Sequence, residues 1–132
     1  MVYIEWSDKF SVKVKEIDEQ HKKLIGMINK LYDGLFDIEV QKVVINEMIE
    51  YTKTHFETEE KYMIQFQFSG YEEHKKEHEE LTAKTIAIKS TFERTKCPLS
   101  LAILDFLKEW LENHLLKMDM KYVEFFNEHG LS

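Results

Sequence analysis

The sequence predicts an all-α fold: an antiparallel up-down-up-down four-helix bundle with an N-terminal arm and a short C-terminal helix. Three observations carry this expectation. Four glycines and one proline in 132 residues leave too little turn chemistry for many short strands. Apolar residues recur at steps of three and four through four separate stretches. The breaks between those stretches are a few residues long, so successive helices must reverse direction and pack as neighbours.

The chain reads as a single domain, 1–132, long enough for one core. Residues 1–17 alternate loosely, carry Trp6 and Phe10, and read as an arm packed on the helical body. Asp18 is a good N-cap, so the first helix is expected over about 18–37. Its apolar face is Leu24, Ile25, Ile28, Leu31, Tyr32 and Leu35. The pattern breaks near 36–39. A second helix, about 40–65, carries Val44, Met48, Tyr51, Thr52, His55, Glu59 and Met63 on one side. Gly70 marks the next turn. The third helix, about 70–93, places His74, His78, Leu81, Thr85, Ile88 and Phe92 in phase. Cys97 and Pro98 break the chain, and Pro98 or Leu99 is expected to start a fourth helix over about 98–117. Ile103, Leu107, Trp110, Leu111 and His114 share its face. A tail helix, about 119–128, with Val123 and Phe126, ends before Gly130.

Composition excludes several classes of function. The chain is 43% hydrophobic and 33% charged, which fits neither a disordered nor a membrane-embedded protein. A formal net charge of −7, with no local basic cluster, opposes binding to nucleic acid. The opening residues lack a basic segment followed by an apolar run, so no secretory signal is expected. The lone Cys97, beside Pro98, reads as a loop residue and fits a reducing cytoplasm.

The histidines carry the functional signal. His21, His55, His74, His78 and His114 all fall on the apolar stripe of their helix, and every main helix contributes at least one. Five desolvated imidazoles sharing a core are a costly way to build an interior, unless a metal accepts their lone pairs. Glu59 follows His55 by four residues and points the same way. His74 and His78 form a second pair at that spacing. Glu57 and Glu60 read as a solvated acidic run, and His129, in the polar tail, reads as a surface residue. The H-E-x-x-H pattern of zinc proteases is missing.

The donor count then points to two ions. Five His, Glu59 and Asp119 make seven protein ligands, too many for one tetrahedral zinc. With Glu59 and Asp119 bridging, together with one solvent-derived oxygen, three His complete six-coordination on one ion. Two His leave the other five-coordinate and open. Imidazole and carboxylate suit iron and leave zinc, manganese and copper open. Asp119 poses a difficulty, because it lies five residues after His114. On a straight helix that leaves the two roughly 140° apart, at about 100° per residue. A π-type turn or a bend is therefore expected between them.

These residues resemble the hemerythrin family, in particular its single-domain bacterial members. The matching stretches are Trp6, IDEQHKKL at 17–24, YTKTHFETEEKYM at 51–63, GYEEHKKEHEEL at 70–81 and WLENHLLKMDMKY at 110–122. Lys13 departs from the pattern, since many relatives carry Gly in the turn before the first helix. The resemblance implies a non-haem di-iron centre, with His74, His78 and His114 on one iron and His21 and His55 on the other. Glu59, Asp119 and a solvent-derived oxo or hydroxo group would bridge. It further implies that O2 binds reversibly at the iron with two histidines, in a dry pocket for which Trp110, Leu111, Ile25 and Phe56 are the candidate walls. Excluding water and protons would slow oxidation to an inactive ferric form.

The function expected on this basis is O2 storage or delivery in the cytoplasm, with an O2-consuming enzyme as a candidate recipient and either a monomer or a homo-oligomer as the assembly. Sensing through a separate partner, and a di-iron peroxidase or iron-handling enzyme, are the competing classes. The sequence offers no inward acid or base beyond the seven ligands, which disfavours an enzyme.

Overall fold

The computed structural model describes residues 3–132; residues 1–2 of the expected arm lie outside the described residues. The helices are α1 (Lys15–Asp33), α2 (Ile38–Gln65), α3 (Tyr71–Thr95), α4 (Leu101–Asn113) and α5 (Val123–Glu128). No strand occurs among the described residues. Connections 34–37, 66–70 and 96–100 are short, so α1 to α4 run antiparallel in turn. Helix α1 packs against α2 and α4, and α2 against α3.

The helix starts differ from the sequence expectation for local reasons. Asp18 does not cap α1, which begins at Lys15. Its carboxylate instead accepts hydrogen bonds from Ser11 Oγ at 2.6 Å and the Val12 N–H at 2.8 Å, tying the arm to the first turn. Asp37 caps α2 by accepting from the N–H groups of Glu39 and Val40, so that helix starts at Ile38. Neither Pro98 nor Leu99 opens α4. The Leu99 N–H donates to the fully buried Gln41 Oε1 at 2.9 Å, and Ser100 provides the cap, so α4 begins at Leu101. On α4 the inward side chain is Leu104, not Ile103, which is only half-buried.

The arm belongs to the core. Ile4 is pinned through both backbone polar groups by the Asn29 side chain, at 2.8 and 2.9 Å. Asp8–Phe10 forms a 3-10 turn that buries Phe10. Lys13 adopts a left-handed backbone with φ of 58°, a conformation glycine takes without a Cβ clash. Val12 and Val14, on either side of it, are both fully buried.

The buried apolar residues form two clusters. The larger gathers Leu24, Ile28, Leu31, Ile45, Met48, Leu104, Leu107, Leu111 and Leu115 with Ile4 and Phe10. The smaller gathers Val12, Val14, Ile17, Met63, Tyr122 and Phe126. In sequence, His21 lies between Ile17 and Leu24, Glu59 between Met48 and Met63, and Asp119 between Leu115 and Tyr122. The polar layer is thus built between two dry blocks, each contributing to stability through the apolar area it removes from water.

Candidate metal centre

All seven sequence-derived donors are buried at this layer, and none is more than 2% exposed. His21 projects from α1, His55 and Glu59 from α2, and His74 and His78 from α3. His114 and Asp119 come from the end of α4, where the helix changes type. Residues His114–Met118 form a π-helical turn, followed by a 3-10 turn over Asp119–Tyr122. The wider turn absorbs the extra residue, and the Asp119 N–H closes onto the His114 carbonyl. The five-residue spacing is thereby converted into two side chains on one face. His114 Nε2 lies 2.9 Å from Asp119 Oδ1.

Two donor groups result. Glu59, His74, His78, His114 and Asp119 bring one atom each within 4.8 Å of one another, as do His21, His55 and Glu59. The carboxylates connect the groups. Asp119 Oδ1 is 2.9 Å from His74 Nε2, while its Oδ2 is 3.1 Å from His21 Nε2. Glu59 Oε1 is 2.9 Å from His55 Nε2 and 3.5 Å from His78 Nε2.

Burial and contact with one another shift the proton affinities of these donors. Burial and the Asp119 charge push the Glu59 carboxyl up, yet His55 and His78 hold it well below the usual range. Burial also pushes Asp119 up, but contacts with His114, His21 and His74 hold it well below. Burial lowers His55. Burial opposes the charge on His114 too, but Asp119 and Glu77 raise it to about 10. His78 is raised against its burial by Glu59 and Glu60.

The donor layer leaves hydrogen-bonding capacity that a cation would take up. The Nε2 atoms of His21, His74, His78 and His114, Glu59 Oε1 and both Asp119 oxygens are buried and make no well-formed hydrogen bond, facing one another instead as close donor and carboxylate pairs. Each such group costs on the order of 1–3 kcal/mol. Their concentration in one layer is hard to reconcile with a purely structural core, whereas two cations would engage all of them. The donor set fits a two-metal centre.

Around the donors lies a set of residues that the sequence reading missed or misjudged. His55 Nδ1 faces Gln20 Oε1 at 2.6 Å, and His114 Nδ1 faces Glu77 Oε1 at 2.6 Å. His78 Nδ1 faces Glu60 Oε2 at 3.0 Å, so Glu60 is not part of a freely solvated run. Glu57 is exposed as expected. Tyr122, fully buried, donates its phenolic hydrogen to Glu59 Oε2 at 2.5 Å, and burial with the nearby Asp119 and Glu59 charges raises its pKa well above 10. It corrects the expectation that no inward acid or base exists beyond the ligands. The available signal was positional, because Gln20, Glu60 and Glu77 each adjoin a donor in sequence.

An apolar cavity of about 40 Å3 touches His21, His55 and His114. Phe56, Trp110 and Leu111 line it. Ile25 does not: α1 presents His21, Leu24 and Ile28 to the cavity, and Ile25 is turned about 100° from Leu24 into the larger cluster. Phe56 stacks on His78 at 3.7 Å and Trp110 on His114 at 4.6 Å, so walls and donors brace each other. His129 is exposed, with Nδ1 2.8 Å from the Phe125 carbonyl oxygen.

Comparison with known proteins agrees with this architecture. The hemerythrin HHE cation binding domain model matches residues 12–126. A myohemerythrin from Sipunculus nudus is 33% identical over 120 residues, covering 89% of this chain and 88% of that one. A bacteriohemerythrin from Pseudomonas aeruginosa is 30% identical over 126 residues, covering 94% and 82%. The crystal structure of a wild-type hemerythrin superposes with a TM-score of 0.87 at 26% identity, over 92% of this chain and 96% of that one.

Proposed function

This chain belongs to the hemerythrin family, and from that membership we propose that it binds O2 reversibly at a non-haem di-iron centre, for oxygen storage or delivery. His74, His78 and His114 would hold one iron and His21 and His55 the other, with Glu59, Asp119 and one solvent-derived oxygen bridging. When bound, the iron pair supplies the reversible electron exchange with O2 that side chains lack. The observation that carries the reading is the set of buried donor atoms without well-formed hydrogen bonds beside a small apolar cavity.

The chain's own residues do the rest. Leu24, Ile28, Met48, Phe56, Leu81, Leu107, Trp110 and Leu111 keep the cavity dry, which disfavours water and proton entry. At about 40 Å3 it has room for a diatomic molecule rather than an organic substrate. Gln20, Glu60 and Glu77 accept the Nδ1 protons of His55, His78 and His114, fixing the tautomer that leaves each Nε2 lone pair free. Tyr122 holds Glu59 in place. Among the described residues, the cavity walls contain no carboxyl, lysine or tyrosine to protonate and cleave bound oxygen, which favours a carrier over an enzyme. The exposed thiol of Cys97 fits a reducing cytoplasm. No helix among the described residues is long and apolar enough to cross a membrane.

The test is optical. Protein loaded with ferrous iron, mixed with O2, should develop a visible charge-transfer absorption that vanishes on deoxygenation and returns on re-exposure. Metal analysis should give two irons per chain. A preparation holding one zinc and no iron, or one that oxidises irreversibly at first contact with O2, would overturn the proposal.

A further inference from the structure

The hydrogen bonds behind the histidines divide unequally between the two donor groups. In the group with three histidines, His78 and His114 each direct Nδ1 at a carboxylate, Glu60 at 3.0 Å and Glu77 at 2.6 Å. Those carboxylates are only 20% and 29% exposed, so water screens them incompletely. In the group with two histidines, His55 meets a neutral amide, Gln20 Oε1. The amide is oriented by its own Nε2, which donates to Thr58 Oγ1 at 3.3 Å. His21 Nδ1, buried, has no partner. A carboxylate accepting the Nδ1 proton draws the imidazole toward imidazolate and strengthens Nε2 as a donor, whereas an amide does so weakly and an unpartnered nitrogen not at all.

We infer that the two metal positions are unequal: the His74–His78–His114 position fills first, and the His21–His55 position fills last, with Gln20 setting its affinity. This inference rests on the two-metal reading above. Mutual repulsion between two dications weakens whichever ion arrives second, but it cannot choose the position. The choice comes from the extra histidine and the two carboxylates on one side. The cavity touches both His21 and His55 but only His114 of the other group. The weaker position is therefore the one that faces the cavity, and a chain carrying one ion per molecule has its metal on the far side. Gln20 acts through His55 as a positioning residue that tunes metal uptake.

The experiment is an anaerobic calorimetric titration of the metal-free full-length protein with Fe(II). Each outer-sphere partner changes metal affinity by about 10–100-fold, so two such differences predict phases separated by at least about 100-fold. His21→Ala should abolish the weak phase and leave the tight one. Gln20→Glu should tighten the weak phase by about tenfold without moving the tight one, and Glu77→Gln should weaken only the tight one. Two ions binding with equal affinity, or Gln20→Glu acting on the tight phase, would overturn the inference while leaving the two-metal reading intact. Saturation at one ion per chain would overturn the two-metal reading itself.

Discussion

Replacing Tyr122 by Phe removes one oxygen atom from the interior and little else. The ring stays packed, stacked on Phe126 with centroids 4.5 Å apart and on His74 at 5.6 Å. What is lost is the hydrogen bond to Glu59 Oε2, at 2.5 Å and fully buried. A hydrogen bond to a charged group contributes about 1.5–3 kcal/mol, and the abandoned carboxylate oxygen cannot reach water. We expect the metal-free variant to lose about 2 kcal/mol. Unfolding entropy near 2.1 cal/mol/K per residue gives roughly 0.28 kcal/mol/K for a chain of this size, so the melting temperature should fall by about 7 °C. Thermal unfolding followed by far-ultraviolet circular dichroism measures it. Tyr62→Phe is the control. Its hydroxyl donates to Glu16 at 2.7 Å, but in an exposed setting, so about 0.5 kcal/mol or less should be lost. Equal effects of the two substitutions, or a Tyr122→Phe variant as stable as the parent, would refute the assignment of Tyr122 as the donor that holds Glu59.

Lys13→Gly should stabilise the protein by about 1 kcal/mol, because a non-glycine residue in the left-handed region carries a penalty of about 1–2 kcal/mol that glycine's greater unfolded-state freedom only partly offsets; a denaturant midpoint at or below the parent's would refute it. Leu111→Ala enlarges the cavity beside His114, and should cost the metal-free protein about 2–5 kcal/mol and hasten irreversible oxidation of the iron-loaded form in air, followed by its visible spectrum. Metal uptake should depend on pH with a fixed sign. Against its burial, His114 is raised to about 10 by Asp119 and Glu77. Its pairing with Asp119 therefore stabilises the metal-free fold fully below the unfolded value of about 6.5, and that contribution is lost as pH rises through about 10. A metal must displace this proton. Fe(II) affinity should climb with pH across that window, and loading at pH 7 should release protons, measured by calorimetry in buffers of different ionisation enthalpy.

The features legible in the sequence were those that depend on one helix at a time. Steps of three and four placed His21, His55, Glu59, His74, His78 and His114 inward, and each is buried. The five-residue gap to Asp119 signalled a distortion, and a π turn lies there. What escaped depends on how two helices meet. Gln20, Glu60 and Glu77 sit on the flanks of their apolar stripes, and only the crossing of neighbouring helices decides that each reaches an imidazole rather than solvent. Tyr122 could not be phased because its direction follows from the π turn before it. Ile25 was misplaced for a smaller reason. Both Leu24 and Ile25 are buried, but a cavity of about 40 Å3 admits only the side chain that faces its centre.

The π turn has a further consequence for the chain beyond it. Upstream, the rotation of α4 is locked by Leu104, Leu107 and Leu111 in one cluster. Downstream, Tyr122 and Phe126 are locked into the other. Residues His114–Met118 work as an expansion joint between two rigid parts whose helical phases differ by one residue. Leu116 and Lys117, on its outer side, are exposed and would ordinarily be places where a deletion is tolerated. Here the π turn itself supplies the slack: removing either lets it close to an ordinary α turn, with His114 and the aspartate four residues apart and the phase of everything after them kept, whereas one added residue would turn everything after it by about 100°. With that insertion Tyr122 would swing off Glu59 and Phe126 out of its cluster, so the tail would come loose while α4 stayed in place. The surface of the joint is free to vary in chemistry and can shorten by one residue, but it cannot lengthen.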